Sequence, residues 1–253
     1  MNASNMSPFL FVTDLDNTLI GDDAALLELN YQLDNHRRQY GSKIVYATGR
    51  SLYLYRLLAE AKSLIAPDAL ITAVGTEMYF DQNYQKYDLE WADILSQDWN
   101  RGAIEQIANQ FEHLQQQPQS EQNPFKISYY LAESVAAETM TQLKSAVTQS
   151  GYKIKLIYSA GQDLDLVPQN GDKGLAVQFL RKKWGISAAK TIVCGDSGND
   201  ISMFQGPEKG LIVSNAKPEL LNWYEANSAE QHYLAQARCA AGILEGLKYF
   251  NLI

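Results

Sequence analysis

The sequence has few of the features that characterise secreted, membrane-bound or zinc-binding proteins. Its 253 residues include two cysteines and three histidines, too few and too scattered for a disulfide framework or a zinc site. Two isolated cysteines fit a reducing setting, and we expect a cytoplasmic protein. No run approaches the roughly 20 apolar residues of a membrane span, and the N-terminus lacks the basic and apolar regions of a signal peptide. We therefore expect neither a membrane anchor nor a targeting segment.

A surplus of positive charge is also missing. Lys and Arg number 21 against 29 Asp and Glu, which gives a formal net charge of -8. Nucleic acids and anionic membranes bind surfaces rich in Lys and Arg, so we expect neither as a partner. A hydrophobic content of 46% in a chain of this length supports one large domain or two modest ones.

Pairs of aspartates after apolar strands are the most informative feature that the sequence does contain. Residues 9–13 predict the buried central strand of a parallel sheet, and residues 191–195 predict a second strand. Ligands of open parallel sheets bind at the carboxyl ends of the strands, so the acids after the two strands should share one crevice. These acids are Asp14, Asp16, Asp196 and Asp200. Each of them taken alone can also be explained as a turn former or a helix cap.

A cluster of four carboxylates indicates a bound cation. Without one the acids would repel one another, and an all-oxygen ligand set suits a hard ion such as Mg²⁺ better than Zn²⁺. We therefore predict a Mg²⁺ site whose ligands come from these four aspartates. The alternative is two unrelated turns that happen to contain aspartate.

Strand and helix patterns alternate along the first part of the chain, as in βαβ units. They predict strands at 9–13, 43–47 and 69–74, with helices at 23–38 and 52–64. From residue 82 a polar and aromatic run leads into an α+β pattern: a helical stretch at 91–115, a glutamine-rich loop at 115–122, a strand at 126–131, a helix at 134–149 and strands at 152–158 and 163–167. The predicted fold class is α/β: a Rossmann-like parallel-sheet core of residues 1–81 and 169–253, with residues 82–168 inserted as an α+β cap.

Two further loops offer groups for a phosphate. Thr48, Gly49 and Arg50 follow the second strand at the start of a helix, where backbone N–H groups and a hydroxyl suit phosphate oxygens. A simple N-cap at Thr48 or Ser51 explains these residues almost as well. Lys173 is predicted at the start of another helix, which is an unfavourable place for a cation. It is either a surface lysine or, beside four acids and a phosphate, a charge that neutralises them.

Taken in order, these segments resemble the four motifs of the haloacid dehalogenase-like phosphatases that carry an inserted α/β cap. The motifs are Asp14-x-Asp16-x-Thr18, Thr48, Lys173 and Gly195-Asp196-x-x-x-Asp200. The fuller segments Asp-Leu-Asp-Asn-Thr, Ala-Thr-Gly-Arg-Ser and Cys-Gly-Asp-Ser-Gly-Asn-Asp, with residues 123–129 and 163–168 of the cap, are similar to the sucrose-6-phosphate phosphatases of photosynthetic bacteria and plants. The resemblance covers one core and one cap, and we expect no counterpart of the additional C-terminal domain of the plant forms.

The resemblance implies Mg²⁺-dependent hydrolysis of sucrose 6-phosphate to sucrose and phosphate, the last step of sucrose synthesis, through an aspartyl-phosphate. Asp14 would be the nucleophile, and Asp16 would act first as acid and then as base while its backbone carbonyl binds the metal. Asp196 would be a further metal ligand, with Asp200 nearby or bound through water. Phosphate oxygens would be held by Thr48 and Lys173, and the residues around the substrate or orienting its loops would be Thr18, Gly49, Arg50, Ser197 and Asn199.

Recognition of the sugar is expected in the cap, since the four motifs bind only phosphate and metal. The candidates are Asn123, Lys126, Ser128 and Asp163. An alternating strand with its polar face in solvent would also explain Lys126 and Ser128, and Asp163 and Asp165 can be hinge or strand-edge residues. Aromatic residues of a small α+β unit usually form its core, which is the alternative for Trp91, Trp99, Phe125 and Tyr129.

Other functions fit the same motifs. A phosphatase of another sugar phosphate, such as mannosyl-3-phosphoglycerate or a hexose phosphate, would need a nearly identical core. A phosphosugar-binding partner of a sucrose-phosphate synthase that has lost catalysis would not need both Asp14 and Asp16. A phosphotransferase would need a second sugar in place of water. The expected substrate is a small sugar phosphate, and the expected protein partner is a sucrose-phosphate synthase with which the chain would associate. We expect the protein to be a monomer.

Overall fold

The computed structural model describes residues 7–81 and 83–253, which form two sheets and the helices around them. The strands are β1 (Leu10–Thr13), β2 (Lys43–Ala47), β3 (Ala69–Thr72), β4 (Glu77–Tyr79), β5 (Gln115–Gln116), β6 (Ile127–Tyr130), β7 (Ile154–Ser159), β8 (Asp163–Pro168), β9 (Thr191–Gly195), β10 (Lys209–Ile212) and β11 (His232–Leu234). The helices are α1 (Asp23–Tyr40), α2 (Leu52–Ala61), α3 (Leu89–Ser96), α4 (Arg101–Ala108), α5 (Glu133–Gln149), α6 (Lys173–Lys183), α7 (Ile201–Phe204), α8 (Pro218–Asn227) and α9 (Cys239–Tyr249). No helix within these residues is long and apolar enough to cross a membrane.

The first sheet has β1 at its centre, in the order β11-β10-β9-β1-β2-β3-β4. Its strands are parallel except for β4, which runs antiparallel to β3. Every residue of β1 is buried, because side chains that alternate along a strand reach apolar clusters on both faces. Phe11 packs in one cluster with Leu29 of α1, and Val12 packs in the other with Val177 of α6. The predicted parallel-sheet core is confirmed.

The register of this sheet brings the polar loops together. Thr13, at the end of β1, lies opposite Tyr46 of β2 on one side and Cys194 of β9 on the other. Immediately after β1, the backbone N–H of Asp14 donates to the carbonyl of Cys194 at 3.0 Å. The loops that leave β1, β2 and β9 therefore meet at the carboxyl edge of the sheet, where ligands of such folds bind.

The second sheet is antiparallel, in the order β5-β6-β8-β7. Its buried face and helices α4 and α5 share one apolar cluster that includes Ile104, Tyr129, Leu143 and Leu166. Tyr129 is therefore a core residue, as the alternative interpretation had it. Trp91 instead belongs to the cluster of the first sheet, and Phe125 packs against that cluster. Trp99 packs against the cluster of the second sheet. This sheet provides the α+β element that the sequence predicts.

We propose that residues 82–168 form a cap inserted into a core of residues 1–81 and 169–253. Support comes from the second sheet, whose strands all lie within this segment, and of these β6, β7 and β8 contribute to an apolar cluster of their own. Helix α3 lies at the junction, because its Trp91 and Leu95 pack in the core cluster. Residue 82, where the crossing is predicted, and residues 1–6 of the predicted core lie outside the described residues.

Three local predictions were wrong. The helical stretch predicted at 91–115 consists of α3 and α4, because Asp98 adopts a left-handed φ of 59° and Asn100 caps the second helix. The third strand ends at Thr72 instead of residue 74, since Val74 and Gly75 have φ values of 55° and 100°. The chain then reverses into β4, which the sequence pattern did not predict. The glutamine-rich segment includes the short strand β5 and is therefore only partly a loop.

Candidate active site

Three buried carboxylates form the centre of the site. Asp14, Asp196 and Asp200 each place a carboxylate oxygen within 4.8 Å of the others. Asp14 follows β1, Asp196 follows β9, and Asp200 ends a short turn after it. The Asp200 Oδ2 atom accepts from the backbone N–H groups of Asp196 at 2.9 Å and of Ser197 at 3.1 Å. Asp200 thus shapes the loop that carries Asp196.

Lys173 lies inside this cluster and has no exposed surface. Its Nζ atom donates to Asp14 Oδ1 and to Asp200 Oδ1, both at 2.7 Å. The lysine can reach this depth because the next residue is glycine: a Cβ atom on Gly174 would lie 2.1 Å from the carbonyl oxygen of Ser202. Only a residue without a side chain lets α6 approach this closely. The interpretation of Lys173 as a surface lysine is wrong.

The protonation equilibria of these groups are strongly perturbed. Burial, the largest cause, together with Asp200 and Asp16 raises the pKa of Asp14 to about 7, against the lowering effect of Lys173. Burial together with Asp200 and Asp14 raises the pKa of Asp196 to about 8. Burial disfavours the charge on Lys173, but Asp14 and Asp200 outweigh it and raise its pKa. A buried cluster of three acids and one lysine thus carries an excess of negative charge.

The cluster fits a hard divalent cation. Its donors are all carboxylate oxygens, they converge within one ion's coordination sphere, and the single lysine does not balance them. Oxygen donors of this kind suit Mg²⁺ or Ca²⁺ better than softer metals. Burial and the neighbouring acids raise the pKa values of Asp14 and Asp196. A cation bound beside them would counteract this effect, because it favours the ionised acids that burial disfavours. These three residues are therefore able to hold a metal.

The Asp16 carboxylate is not part of this three-acid group and faces Arg50 instead. Arg50 Nε donates to Asp16 Oδ2 and Nη2 donates to Asp16 Oδ1, both at 2.7 Å. This bidentate geometry fixes the direction of a carboxylate more firmly than a single contact does. The side chains of Asp16 and Arg50 are 44% and 28% exposed, so solvent reaches the pair. Arg50, predicted to contact the substrate, here holds the predicted acid–base residue.

The loop after β2 carries Thr48 and Gly49, of which Gly49 lines the crevice between the loops and Thr48 does not. Thr48 is fully buried, and its Oγ1 accepts from the Arg50 backbone N–H at 3.1 Å. Ser51 is the residue that caps α2, since its Oγ accepts from Leu54 N–H. The simple N-cap therefore explains Ser51 and leaves Thr48 for another role. A Cβ atom on Gly49 would lie 3.2 Å from the Asn199 side-chain amide, so a larger residue would crowd the loop after β9.

A cavity of about 420 Å³ lies between these loops and the second sheet. From the core it is lined by Asp14, Asp16, Arg50, Asp196, Asn199 and Lys217, and from the second sheet and its loops by Gln117, Glu121, Lys126, Tyr130, Asp163 and Asp165. Thr18, predicted to lie near the substrate, is buried behind the cavity and donates from Oγ1 to Asp196 Oδ1 at 3.1 Å. Among the described residues, Asn199 Oδ1 is buried without a hydrogen-bond partner.

A charged pair sits at the far wall of this cavity. Lys126 and Asp165 are 2% and 6% exposed. Lys126 Nζ donates to Asp165 Oδ1 at 3.2 Å and also to Ser128 Oγ, and Ser128 Oγ donates to Asp165 Oδ1 at 2.6 Å. The interpretation of Lys126 and Ser128 as a solvent-facing strand surface is therefore wrong. Asp165 is not a strand-edge residue either, because β8 lies between β6 and β7.

The other two cap candidates differ in position. Asp163 lines the cavity, and its Oδ1 accepts from Gln117 Nε2 at 2.9 Å. Burial and the neighbouring Asp165 raise its pKa. Asn123 is not among the residues that line the cavity. Its Nδ2 donates instead to Thr76 Oγ1 of the core at 2.9 Å.

The lining residues that sequence reasoning missed include Gln117, Glu121, Asp165 and Lys217. Gln117 and Glu121 fall in the segment predicted as a solvated loop, and no local pattern distinguishes them from its other polar residues. Asp165 was considered only as a hinge or edge residue, although it alternates with Asp163 on one strand, and this spacing puts both on one face. Lys217 precedes α8 and carries no pattern of its own.

Comparison with known families identifies the group to which this arrangement belongs. A family model described as sucrose-6F-phosphate phosphohydrolase matches residues 7–251. The chain belongs to this family. Its relatives include the probable sucrose-phosphatase 2 of Arabidopsis thaliana, which is 38% identical over 253 residues. That match covers 96% of this chain and 60% of the plant protein, so the chain spans about three fifths of that relative's length.

Solved structures agree with this family assignment. The X-ray structure of the sucrose-phosphatase from Synechocystis, in complex with sucrose and phosphate, has a TM-score of 0.89 and 41% identity. The match covers 97% of this chain and 99% of that one. A haloacid dehalogenase-like hydrolase from Bacillus subtilis, at 18% identity and TM-score 0.68, shares the fold over 98% of this chain and 94% of its own. The predicted haloacid dehalogenase-like fold and the resemblance to sucrose-phosphatases are thus confirmed.

Proposed function

We propose that the protein hydrolyses sucrose 6-phosphate to sucrose and phosphate in the presence of Mg²⁺, the last step of sucrose synthesis. The observation that carries this proposal is the cavity in which Asp14 and Asp196 of the three-acid cluster face a polar cap wall. Lys173 and Asp200 do not line this cavity and are fully buried, and Lys173 donates to both Asp14 and Asp200. The core end offers carboxylates for a cation, with the buried Lys173 ammonium beside them for a phosphate. The cap end offers hydrogen-bonding groups for an uncharged sugar. The family assignment supports the same activity.

The proposed reaction proceeds in two steps. In the first, a carboxylate oxygen of Asp14 attacks phosphorus, the bond from phosphorus to the sugar oxygen breaks, and Asp16 protonates the departing oxygen. In the second, Asp16 takes a proton from water, the water oxygen attacks phosphorus, and the Asp14 carboxylate is released with phosphate. Both Asp16 oxygens accept from Arg50, yet each carboxylate oxygen keeps a lone pair for the proton.

The remaining core residues have supporting roles in this proposal. Asp14, Asp196 and the backbone carbonyl of Asp16 would hold Mg²⁺. Asp200 would act indirectly, since its oxygens already accept from Lys173 and two backbone N–H groups. Bound Mg²⁺ offsets the repulsion between an anionic nucleophile and an anionic phosphate. Phosphate oxygens would be held by Lys173 and Thr48, with Gly49, Asn199 and Ser197 around them and Thr18 orienting Asp196.

The sugar would bind against the cap wall. Lys126 and Asp163 line the cavity and keep the role that the sequence suggests, and the cavity adds Gln117, Glu121 and Asp165. Ser128 is fully buried, and we propose that its hydroxyl orients Lys126 and Asp165. For Asn123 we propose a different role: its hydrogen bond to Thr76 ties the loop before β6 to the core. Substrate bound between cap and core would be shielded from water other than the attacking molecule.

Phosphate release from a panel of sugar phosphates tests the substrate. We expect kcat/KM for sucrose 6-phosphate to exceed that for glucose 6-phosphate, fructose 6-phosphate and mannosyl-3-phosphoglycerate, and to require Mg²⁺. Comparable or faster turnover of the other esters would contradict the assignment. A protein that binds sucrose 6-phosphate without turning it over would instead be a non-catalytic phosphosugar-binding protein, and release of phosphate only to a second sugar would indicate a phosphotransferase.

Replacement of Lys126 tests the role of the cap. We expect Lys126→Ala to raise KM for sucrose 6-phosphate about tenfold or more, since a buried charged group that meets the ligand is lost and Asp165 loses its partner. KM for 4-nitrophenyl phosphate, which has no sugar, should change little. Lys144→Ala, at an exposed position of α5, is the matched control. Equal effects on both substrates would mean that Lys126 does not contact the sugar.

Three further expectations remain proposals. A cytoplasmic location is supported by the two free cysteines, Cys194 and Cys239, which are buried as thiols. We also propose that the protein is a monomer and that it associates with a sucrose-phosphate synthase. Analytical ultracentrifugation of the protein alone and with the synthase would test both.

A further inference from the structure

Asn215, in the loop between β10 and α8, has no role in the proposed reaction but contacts one of the two acidic loops directly. The loop between β10 and α8 touches both of them. Asn215 Nδ2 donates to the carbonyl of Asn17 at 2.7 Å, and the Lys217 backbone N–H donates to the carbonyl of Asp196 at 2.7 Å. Thr18 Oγ1 donates in turn to Asp196 Oδ1 at 3.1 Å. Three loops are thereby joined in one ring of hydrogen bonds beside the metal-ligand candidates.

Asn17 is a residue of this ring whose backbone is held by few strong contacts. It lies between Asp16 and Thr18 and has a φ of 59°, in the left-handed region that asparagine tolerates better than most residues. Among the described residues, its carbonyl accepts from Asn215 Nδ2 and from the Cys239 thiol, the latter at 3.3 Å. A thiol is a weak donor. The Asn215 amide is therefore the main contact that orients this peptide.

The Asn215 side chain is itself held in place. Its Oδ1 accepts from the Cys239 backbone N–H at 3.0 Å, at the start of α9. The position thus uses one donor and one acceptor on the same side chain, and only an amide supplies both at this length. Aspartate would keep the acceptor for Cys239 and lose the donor for Asn17. Alanine would lose both.

We propose that Asn215 is a positioning residue for phosphoryl transfer. It fixes the position of the Asp14–Thr18 loop relative to the loop that carries Asp196. It acts through Asn17 and does not touch the substrate. This inference rests on the proposed function. Displacement of a reacting group by about 1 Å can lower a rate about 100-fold. Because the bond between Asn215 and Asn17 is exposed to solvent, which replaces part of a lost hydrogen bond, we expect a smaller loss of about tenfold in kcat.

The test compares two chemically identical substitutions. Asn215→Asp removes the donor to Asn17, and Asn227→Asp removes a donor that is bonded to the carbonyl of Trp223 at 2.8 Å within α8, away from the site. For Asn215→Asp we expect kcat to fall about tenfold with both sucrose 6-phosphate and 4-nitrophenyl phosphate, with KM within about twofold of the parent. Asn227→Asp should keep the parent kcat.

Asn215→Ala and circular dichroism at the assay temperature complete the experiment. A parent-like kcat in both Asn215 variants, or a loss that vanishes after correction for the folded fraction, would overturn the proposal. So would a raised KM with unchanged kcat, because that result would place Asn215 in substrate binding. If the parent hydrolyses only the aryl ester, the sucrose 6-phosphate assignment fails, but the same ester still decides the role of Asn215.

Discussion

Asp14→Asn is expected to abolish turnover and leave the fold intact. The amide has the shape of the carboxylate but cannot form an acyl phosphate, so we expect kcat to fall at least about 1,000-fold. The variant should be no less stable than the parent in metal-free buffer at pH 8. Burial and neighbouring acids raise the pKa of Asp14 to about 7, so its ionisation costs stability as the pH rises through that value, and the neutral amide avoids this cost.

Steady-state phosphate release and thermal unfolding measure the two effects separately. Asp93→Asn, the same change at an exposed position of α3, is the matched control and should behave as the parent. Parent protein quenched in acid during turnover should also carry a phosphate on the peptide that contains Asp14, and Asp14→Asn should not. Turnover of the variant at an appreciable fraction of the parent rate would rule out the covalent mechanism.

The core of this site could be predicted from the sequence because its residues follow directly from strands. An apolar run that ends in aspartate indicates both the strand and the edge of the sheet at which the acid lies, and β1 and β9 are neighbours as this reasoning requires. The burial of Lys173 was harder to predict, because it depends on the contact of Gly174 with Ser202, and these residues are 28 positions apart in the sequence. Local propensity predicts an exposed cation at a helix start.

The cap and the links between loops could not be predicted in the same way. Lys126 and Ser128 alternate as in any half-exposed strand, and only the position of Asp165 on the adjacent strand shows that they are buried. The Arg50–Asp16 and Asn215–Asn17 contacts join residues 34 and 198 positions apart. Each depends on the direction of a loop, which is set by tertiary packing and not by the propensities of the loop residues.

Lys173→Met is expected to have the second large effect, on both stability and activity. Methionine is similar in length, but it removes the only cation that the described structure places between Asp14 and Asp200. Breaking a buried ion pair by removing one partner costs about 3–5 kcal/mol, because the remaining charges are stranded. We expect a loss of this size in metal-free urea unfolding, and a fall of at least about 100-fold in kcat from the lost phosphate contact.

Double replacement separates the two contributions of Lys173. Adding Asp200→Asn to Lys173→Met removes one stranded carboxylate while an amide oxygen can still accept from the Asp196 and Ser197 backbone N–H groups. We therefore expect the double variant to regain part of the lost stability and none of the activity. Lys190→Met, at an exposed turn, controls for the change of residue type. A Lys173→Met protein as stable as the parent would mean that the acids are already neutral in the folded state. One that kept its kcat would mean that the phosphate is held by Thr48 and the metal alone.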